Sequence, residues 1–127
     1  MNQEDKDLLY KDLCSRLPYG VMVREDTVVY DDKNTTSYRI KKLSYVHIGK
    51  GFSRIKGFNH DYEYIYRPYL FPLSSMTEEQ KEDMIKSSCG IGSDKNVFDW
   101  YNKNHFDYRG LIPKGSALDA TGLNIYK

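Results

Sequence analysis

Two prolines four residues apart, Pro68 and Pro72, divide this chain into two parts of different character. Proline lacks a backbone N–H and favours extended backbone in the residue before it, so neither a helix nor a central sheet ladder is expected to pass through this segment. The neighbouring side chains are large and apolar, and they are Tyr66, Tyr69, Leu70, Phe71 and Leu73. Because such side chains are stabilised when they leave water, we expect the elbow, residues 67–73, to pack against the core.

A chain of 127 residues is long enough for one domain with its own core. We predict a single domain over residues 1–127, with a helix and a sheet up to about residue 66. The elbow at 67–73 and a helical and irregular part over 74–127 follow. The predicted fold class is α+β: an N-terminal helix, about five short strands and two C-terminal helices. The strands form a small bent antiparallel sheet or a partly open barrel.

The N-terminal segment, residues 3–17, has apolar side chains at the spacing of an amphipathic helix. The predicted buried stripe consists of Tyr10, Leu13, Cys14 and Leu17, and Leu9 widens it. Pro18 ends this helix. Cys14 and Cys89 lie outside any Cys-x-x-Cys pattern, so we interpret both as buried thiols that act as small hydrophobic residues.

Two further helices are expected after the elbow. Ser75 or Thr77 begins the first, because each has a Glu or Gln three residues later and can form a capping box. Asp94 is the predicted N-cap of the second. One face of that second helix carries Val97, Trp100, Tyr101 and His105.

Strands are predicted between residues 21 and 66, where β-branched and aromatic residues are frequent. Residues 21–23 and 27–30 are interpreted as a hairpin whose turn is the charged segment 24–26. One longer strand or two short ones follow between residues 38 and 48, and alternating tyrosines mark a last strand over residues 62–66.

Composition argues against several classes of function. With 19 Lys and Arg against 18 Asp and Glu, the net charge of +1 gives no global field that would select a nucleic acid or a membrane. No apolar leader is present and no apolar run approaches the roughly 20 residues that span a bilayer, so we expect a cytoplasmic protein without membrane contact. His47, His60 and His105 show no zinc-type spacing with the cysteines, and neither a metal nor a cofactor is expected.

The strongest functional signal is local. Residues 33–60 hold seven Lys and Arg and no Asp or Glu, with aromatic residues between them. This composition is typical of a surface that follows phosphates and stacks on bases. The candidate nucleic-acid-binding residues are Arg39, Lys41, Lys42, Tyr45, Lys50, Phe52, Arg54 and Lys56. The competing interpretation is an ordinary solvated sheet surface whose charges are neutralised by acidic segments elsewhere.

A second signal is the proximity of His105, Asp107 and Arg109. A histidine oriented by a carboxylate is a common general acid or base, so this cluster indicates a small hydrolase as the alternative function. The spacing assigns no nucleophile and no oxyanion donor. A structural role competes with the catalytic one, in which the histidine satisfies a helix C-terminus and the aspartate pairs with the arginine.

Three segments of the chain, LPYGV at residues 17–21, RPYLFPLSSMTEE at 67–79 and NHFDYRGLIPKG at 104–115, carry a family resemblance. They resemble an uncharacterised family of small proteins from gut bacteria and their phages or prophages. The resemblance implies a mobile-element context and brings no activity or catalytic residue. We therefore predict a non-enzymatic accessory or interaction module of a phage or mobile element, which contacts a protein partner or a nucleic acid through its sheet over residues 38–58.

Overall fold

The computed structural model describes residues 2–29, 36–44, 53–56, 61–88 and 93–126. It confirms the predicted α+β fold, with a sheet, an N-terminal helix and two later helices. The helices are α1 (Gln3–Arg16), α2 (Glu78–Ser87) and α3 (Ser93–Lys103). The strands are β1 (Met22–Val29), β2 (Thr36–Lys42), β3 (Ser53–Lys56), β4 (Asp61–Leu70) and β5 (Leu118–Asp119).

The four longer strands form an open sheet in the order β2-β1-β4-β3, and each neighbouring pair is antiparallel. Of the two predicted alternatives, the open sheet is therefore the one that the structure contains. The short β5 pairs parallel with the end of β4, where Leu118 lies opposite Tyr69. This pairing brings the C-terminal part of the chain onto the sheet.

The predicted hairpin over residues 21–30 is wrong, because β1 runs through the charged segment without a turn. Its acidic side chains meet cations of the neighbouring strands: Glu25 pairs with Arg39 at 2.7 Å, and Asp26 with Arg67 at 2.8 Å. Opposite charges on adjacent strands stabilise a sheet. Residues that indicate a turn in isolation are thus compatible with the middle of a central strand.

The expectation that no central ladder passes through Pro68 is also wrong, since Pro68 lies in β4 opposite Val23 of β1. On its other side, the described pairing of β4 with β3 covers Asp61 to Tyr64, and its pairing with β5 begins at Tyr69. The described residues therefore give β4 a single strand partner at Pro68. A proline whose nitrogen is directed to such an unpaired edge removes no ladder hydrogen bond.

The elbow nevertheless packs inward as expected. Tyr69 and Leu70 are buried, and Phe71 is partly buried. The backbone of Phe71 exchanges hydrogen bonds with the segment after α3, because its N–H donates to the carbonyl of His105 at 2.8 Å and its carbonyl accepts from Asp107 at 2.9 Å. Leu73 is the exception, since its side chain is exposed.

Helix α1 covers one face of the sheet, where Leu9 and Leu13 join the core formed with Val21, Val23 and Leu70. The buried face of this helix is only partly the predicted one, since Leu9 and Leu13 are buried but Tyr10 and Leu17 are only partly buried. It consists of Leu9, Asp12, Leu13 and Arg16. Cys14 is exposed, which contradicts the interpretation of this residue as a buried thiol, and Cys89 lies outside the described residues.

The start of α2 is the predicted capping box. The Thr77 hydroxyl accepts a hydrogen bond from the backbone N–H of Gln80 at 3.1 Å, and the Gln80 side chain accepts one from the N–H of Thr77 at 2.8 Å. Helix α3 begins at Ser93, one residue before the predicted cap Asp94. The indole N–H of Trp100 in α3 donates to Asp83 of α2 at 2.8 Å and ties the two helices together.

Candidate nucleic-acid interface

The sheet register sorts the candidate residues onto two faces, because directly opposed residues of antiparallel strands share a face. Val23, Glu25, Arg39 and Lys41 belong to the face that α1 covers. By register, the opposite face, called the outer face below, holds residues of four strands: Met22, Arg24, Asp26, Val28, Thr36, Tyr38, Ile40, Lys42, Arg54, Lys56, Asp61, Glu63, Ile65 and Arg67. Among the predicted binding residues, Lys42 is thus separated from Arg39 and Lys41 by the thickness of the sheet.

The outer face presents apolar and aromatic side chains to solvent. Tyr38 is 60% exposed and Ile40 is 47% exposed, although both lie in the middle of β2. The guanidinium of Arg24 lies 3.9 Å from the centre of the Tyr38 ring, a distance at which a cation–π interaction fixes both side chains. This face therefore carries an exposed aromatic ring held in place by a stacked cation.

Cations outnumber carboxylates on this face. The Asp26 carboxylate accepts hydrogen bonds from Arg24 at 3.1 Å and from Arg67 at 2.8 Å, so two guanidinium groups share one carboxylate. Lys42 is exposed and adds a further positive charge. The described side chains of the outer face are therefore net positive, and an anionic partner is the electrostatically favoured one.

Two of the predicted cations are engaged on the covered face. The buried carboxylate of Glu25 binds Arg39 at 2.7 Å and Lys41 at 3.0 Å, and it is also hydrogen-bonded by Tyr66. Burial alone would raise the pKa of Glu25, but the hydrogen bonds from Lys41, Arg39 and Tyr66 outweigh it and lower the pKa below 4.5. Arg39 is still 68% exposed, but it and Lys41 are both ion-paired with the single carboxylate of Glu25.

Three of the remaining predicted residues lie outside the described part of the chain, and they are Tyr45, Lys50 and Phe52. Arg54 and Lys56 lie in β3, where they are paired in register with Glu63 and Asp61 of β4. The acidic residues of β4 thus stand opposite the cations of β3 in the ladder.

Arg24 and Arg67 lie on the outer face, although they fall outside residues 38–58, where the binding surface was predicted. The missed signal is the alternation of Met22, Arg24 and Asp26 with buried neighbours, which becomes visible once residues 21–30 are treated as one strand. Arg67 was assigned to the elbow, and only the length of β4 places it in the sheet.

The His105, Asp107 and Arg109 side chains engage separate partners. The His105 ring stacks on Tyr126, with ring centres 3.6 Å apart. The Asp107 carboxylate accepts hydrogen bonds from the backbone N–H groups of Leu111 and Ile112 at 2.8 and 2.9 Å, and these bonds close the turn that runs from Asp107 to Ile112. Arg109 binds Asp12 of α1.

His105 follows α3 with a positive φ of 63°, in the left-handed conformation common just after a helix. Burial, and secondarily the positive charge of Arg16, lower the pKa of His105 from 6.5 to about 4. The ring is consequently neutral at pH 7, and its buried Nδ1 has no partner among the described residues. This arrangement provides packing, and no described contact of the ring links it to a nucleophile.

The described residues contain no group of three or more His, Cys, Asp and Glu side chains arranged to hold a metal ion. No helix among them is both long and apolar enough to cross a membrane.

Replacement of Glu25 by glutamine is expected to destabilise the protein by about 1–3 kcal/mol at neutral pH, because charge-assisted hydrogen bonds to Arg39 and Lys41 are lost. Since the folded-state pKa is lowered, this stabilisation is present above pH 4.5 and is lost as the pH falls through the folded-state pKa. Urea unfolding at about pH 7 and about pH 3 should therefore show a difference between wild type and Glu25→Gln that shrinks in acid. Glu82→Gln on exposed α2 is the matched control, and an equal effect of both changes would contradict the assigned role.

No family model, no curated protein and no solved structure matches this chain. The resemblance to a family of gut bacteria and their phages stays a prediction.

Proposed function

We propose that this protein is a non-enzymatic binding module that contacts single-stranded nucleic acid through the outer face. The observation that carries the proposal is the exposed Tyr38 ring beside Arg24, on a face where cations exceed carboxylates. Bases stack on aromatic side chains whatever their sequence, and lysine and arginine contact the phosphates between them. The phage or mobile-element setting predicted from the resemblance belongs to the same proposal.

The strand geometry supports an extended ligand. Tyr38, Ile40 and Lys42 follow one another along β2 on the same face, so an aromatic, an apolar and a cationic side chain line one path. Arg24 and Arg67 lie beside this path on β1 and β4. A single strand can place a base on Tyr38 while its backbone meets these cations. The hydrolase alternative gains no support, since His105, Asp107 and Arg109 bind three different partners.

The experiment is fluorescence anisotropy with labelled single-stranded oligouridine and oligothymidine of roughly 12 nucleotides, within the site sizes of sheet-based binders. We expect saturable binding that weakens with salt, with a slope of about −0.7 in log K against log salt for each phosphate contact. Tyr38→Ala should weaken binding by about 1–3 kcal/mol, the contribution of one stacked base. Lys42→Glu should weaken binding and reduce the salt slope.

Lys86→Glu in exposed α2 is the control, because it makes the same charge change on a helix that contributes no residue to the outer face. It should leave the affinity within about twofold, a difference below the roughly 1.4 kcal/mol of one tenfold step. Absence of binding at low salt would overturn the proposal. Binding that Tyr38→Ala and Lys42→Glu leave unchanged would overturn the assignment to this face, and salt-independent binding would indicate a contact other than phosphate.

A further inference from the structure

A groove of about 570 Å³ lies on the helical side of the protein, away from the outer face. It is bounded by α1, by the turn that follows α1, by α3 and by the segment after α3. Its lining includes Lys11, Ser15, Tyr19, Phe98, Asn102 and Arg109. The volume falls within the roughly 300–1,000 Å³ of small-molecule sites. The groove is independent of the proposed nucleic-acid contact, since none of its lining residues belongs to the sheet.

Arg109 is held rigidly at this groove. Its Nε donates to the buried carboxylate of Asp12 at 3.1 Å, and its Nη2 donates to the hydroxyl of Tyr108 at 2.9 Å and to Ser15 at 3.4 Å. The Tyr108 hydroxyl in turn donates to Asn102 at 3.1 Å. A guanidinium has five N–H donors, and the two on Nη1 have no partner among the described residues. Because Arg109 lines the groove, these two N–H groups are the donors with which it can bind an acceptor there.

The surroundings of Arg109 are positively charged. Asp12 is its carboxylate partner, but Asp12 is also bound by the buried Arg16 at 2.8 Å, so one negative charge serves two guanidinium groups. Lys11 adds a cation to the lining, and Asp99 is its acidic member. An adjoining cavity of about 230 Å³ shares Asp99 and contributes a further cation, Lys103.

Aromatic surface lies beside these charges. Phe98 is 49% exposed although it is a large apolar residue, and one of its neighbours is the Tyr108 ring, 5.2 Å away between centres. Tyr19, on the turn after α1, is also exposed. Ligand sites combine apolar and aromatic walls with a few fixed polar groups, and this groove has both.

The geometry points to a binding site for a small aromatic anion, with its carboxylate or phosphate on Arg109 and Lys11 and its ring against Phe98 and Tyr19. A charged acceptor can form two parallel hydrogen bonds with a guanidinium, which makes arginine well suited to carboxylates and phosphates. The aromatic wall selects a ligand with a ring over an inorganic anion. Benzoate and phenyl phosphate represent the two sources of negative charge.

The test is a titration followed by two-dimensional amide NMR, with benzoate, phenyl phosphate, inorganic phosphate and benzyl alcohol as separate probes. We expect saturable shifts of the Ser15, Asn102 and Arg109 amides with at least one aromatic anion. That anion should bind about tenfold or more tightly than neutral benzyl alcohol, because the alcohol lacks the charge that strengthens hydrogen bonds to Arg109. It should also bind about tenfold or more tightly than inorganic phosphate, because phosphate has no ring to pack against Phe98 and Tyr19. The comparison of benzoate with phenyl phosphate identifies the anionic group.

Lys11→Glu and Phe98→Ala change exposed side chains, so both variants should remain folded, and each should weaken binding about tenfold. Lys86→Glu on α2 and Lys42→Glu on the outer face should leave it unchanged. The proposal is overturned if no aromatic anion shifts the groove amides, if inorganic phosphate binds as tightly as phenyl phosphate and benzoate, or if Lys11→Glu and Phe98→Ala bind like wild type. Because the oligonucleotide experiment uses Tyr38 and Lys42, each of the two proposals can fail without the other.

Discussion

Asp12→Ala is expected to lower the free energy of unfolding by about 3–5 kcal/mol, a large part of the roughly 5–15 kcal/mol of a typical domain. Asp12 and Arg16 are both fully buried and bound at 2.8 Å, and Arg109 binds the other carboxylate oxygen at 3.1 Å. Removal of the carboxylate leaves Arg16 as an uncompensated charge in the interior. The cost of this unpaired charge is increased because Nη1 of Arg16 already lacks a hydrogen-bond partner among the described residues.

Urea unfolding monitored by circular dichroism measures this loss, and Asp7→Ala is the matched control on the same helix. Asp7 is exposed, so its removal should change stability by no more than about 0.5 kcal/mol. The double variant Asp12→Leu with Arg16→Met should be more stable than Asp12→Ala, because it removes the charge that the single change leaves unpaired. A double variant that is less stable than Asp12→Ala would contradict this account, and so would a loss below about 1 kcal/mol for the single change.

The same ion pair explains why the buried face of α1 could be predicted from sequence only at Leu9 and Leu13. The apolar pattern favours a stripe through Tyr10 and Cys14, and a charged pair such as Asp12 and Arg16 is normally assigned to solvent. The pair is buried because Arg109, 97 positions away, joins it, and because Arg16 also donates to the carbonyl of Phe106 at 2.6 Å. Hydrophobic periodicity contains no information about contacts between such distant residues.

Local signals were more reliable where the relevant contact is local. The capping box of Thr77 and Gln80 spans three residues, and the structure contains it at the predicted start of α2. The α+β class was predictable for a similar reason, since the strand-rich and helical parts of the chain are separate along the sequence. The length of β4 was not predictable, because a proline normally indicates the end of a central strand, and the pairing of Pro68 with Val23 of β1 joins residues far apart in the sequence.

The candidate interface shows the same division between local and distant information. The basic and aromatic character of β2 is visible in the sequence, and Tyr38 and Lys42 lie on the outer face. The alternation of side chains along a strand separates them from Arg39 and Lys41, which lie on the other face with Glu25. Which of the two sets faces helix α1 depends on the register between β1 and β2, since a shift of one residue would exchange them.

Phe106→Ala is expected to destabilise the protein by about 3–5 kcal/mol, in the range for removal of a buried phenylalanine side chain. Phe106 is almost fully buried, with its ring stacked on Trp100 at 5.5 Å between centres and tilted against Phe71 at 6.0 Å. Its ring therefore connects α3 to the elbow. The change leaves a cavity at the junction between the sheet half and the helical half of the chain.

Phe98→Ala is the matched control, because Phe98 is the same residue type within α3 but is half exposed, and its truncation should cost much less. Trp100, the single tryptophan, reports directly on the site: its emission should shift to longer wavelength in native Phe106→Ala as water reaches the space beside the indole. Urea unfolding measures the loss of stability in the same samples. If Phe106→Ala and Phe98→Ala unfold at the same urea concentration, the elbow is not held through this ring, and the contacts of Leu70 with the core must account for its burial instead.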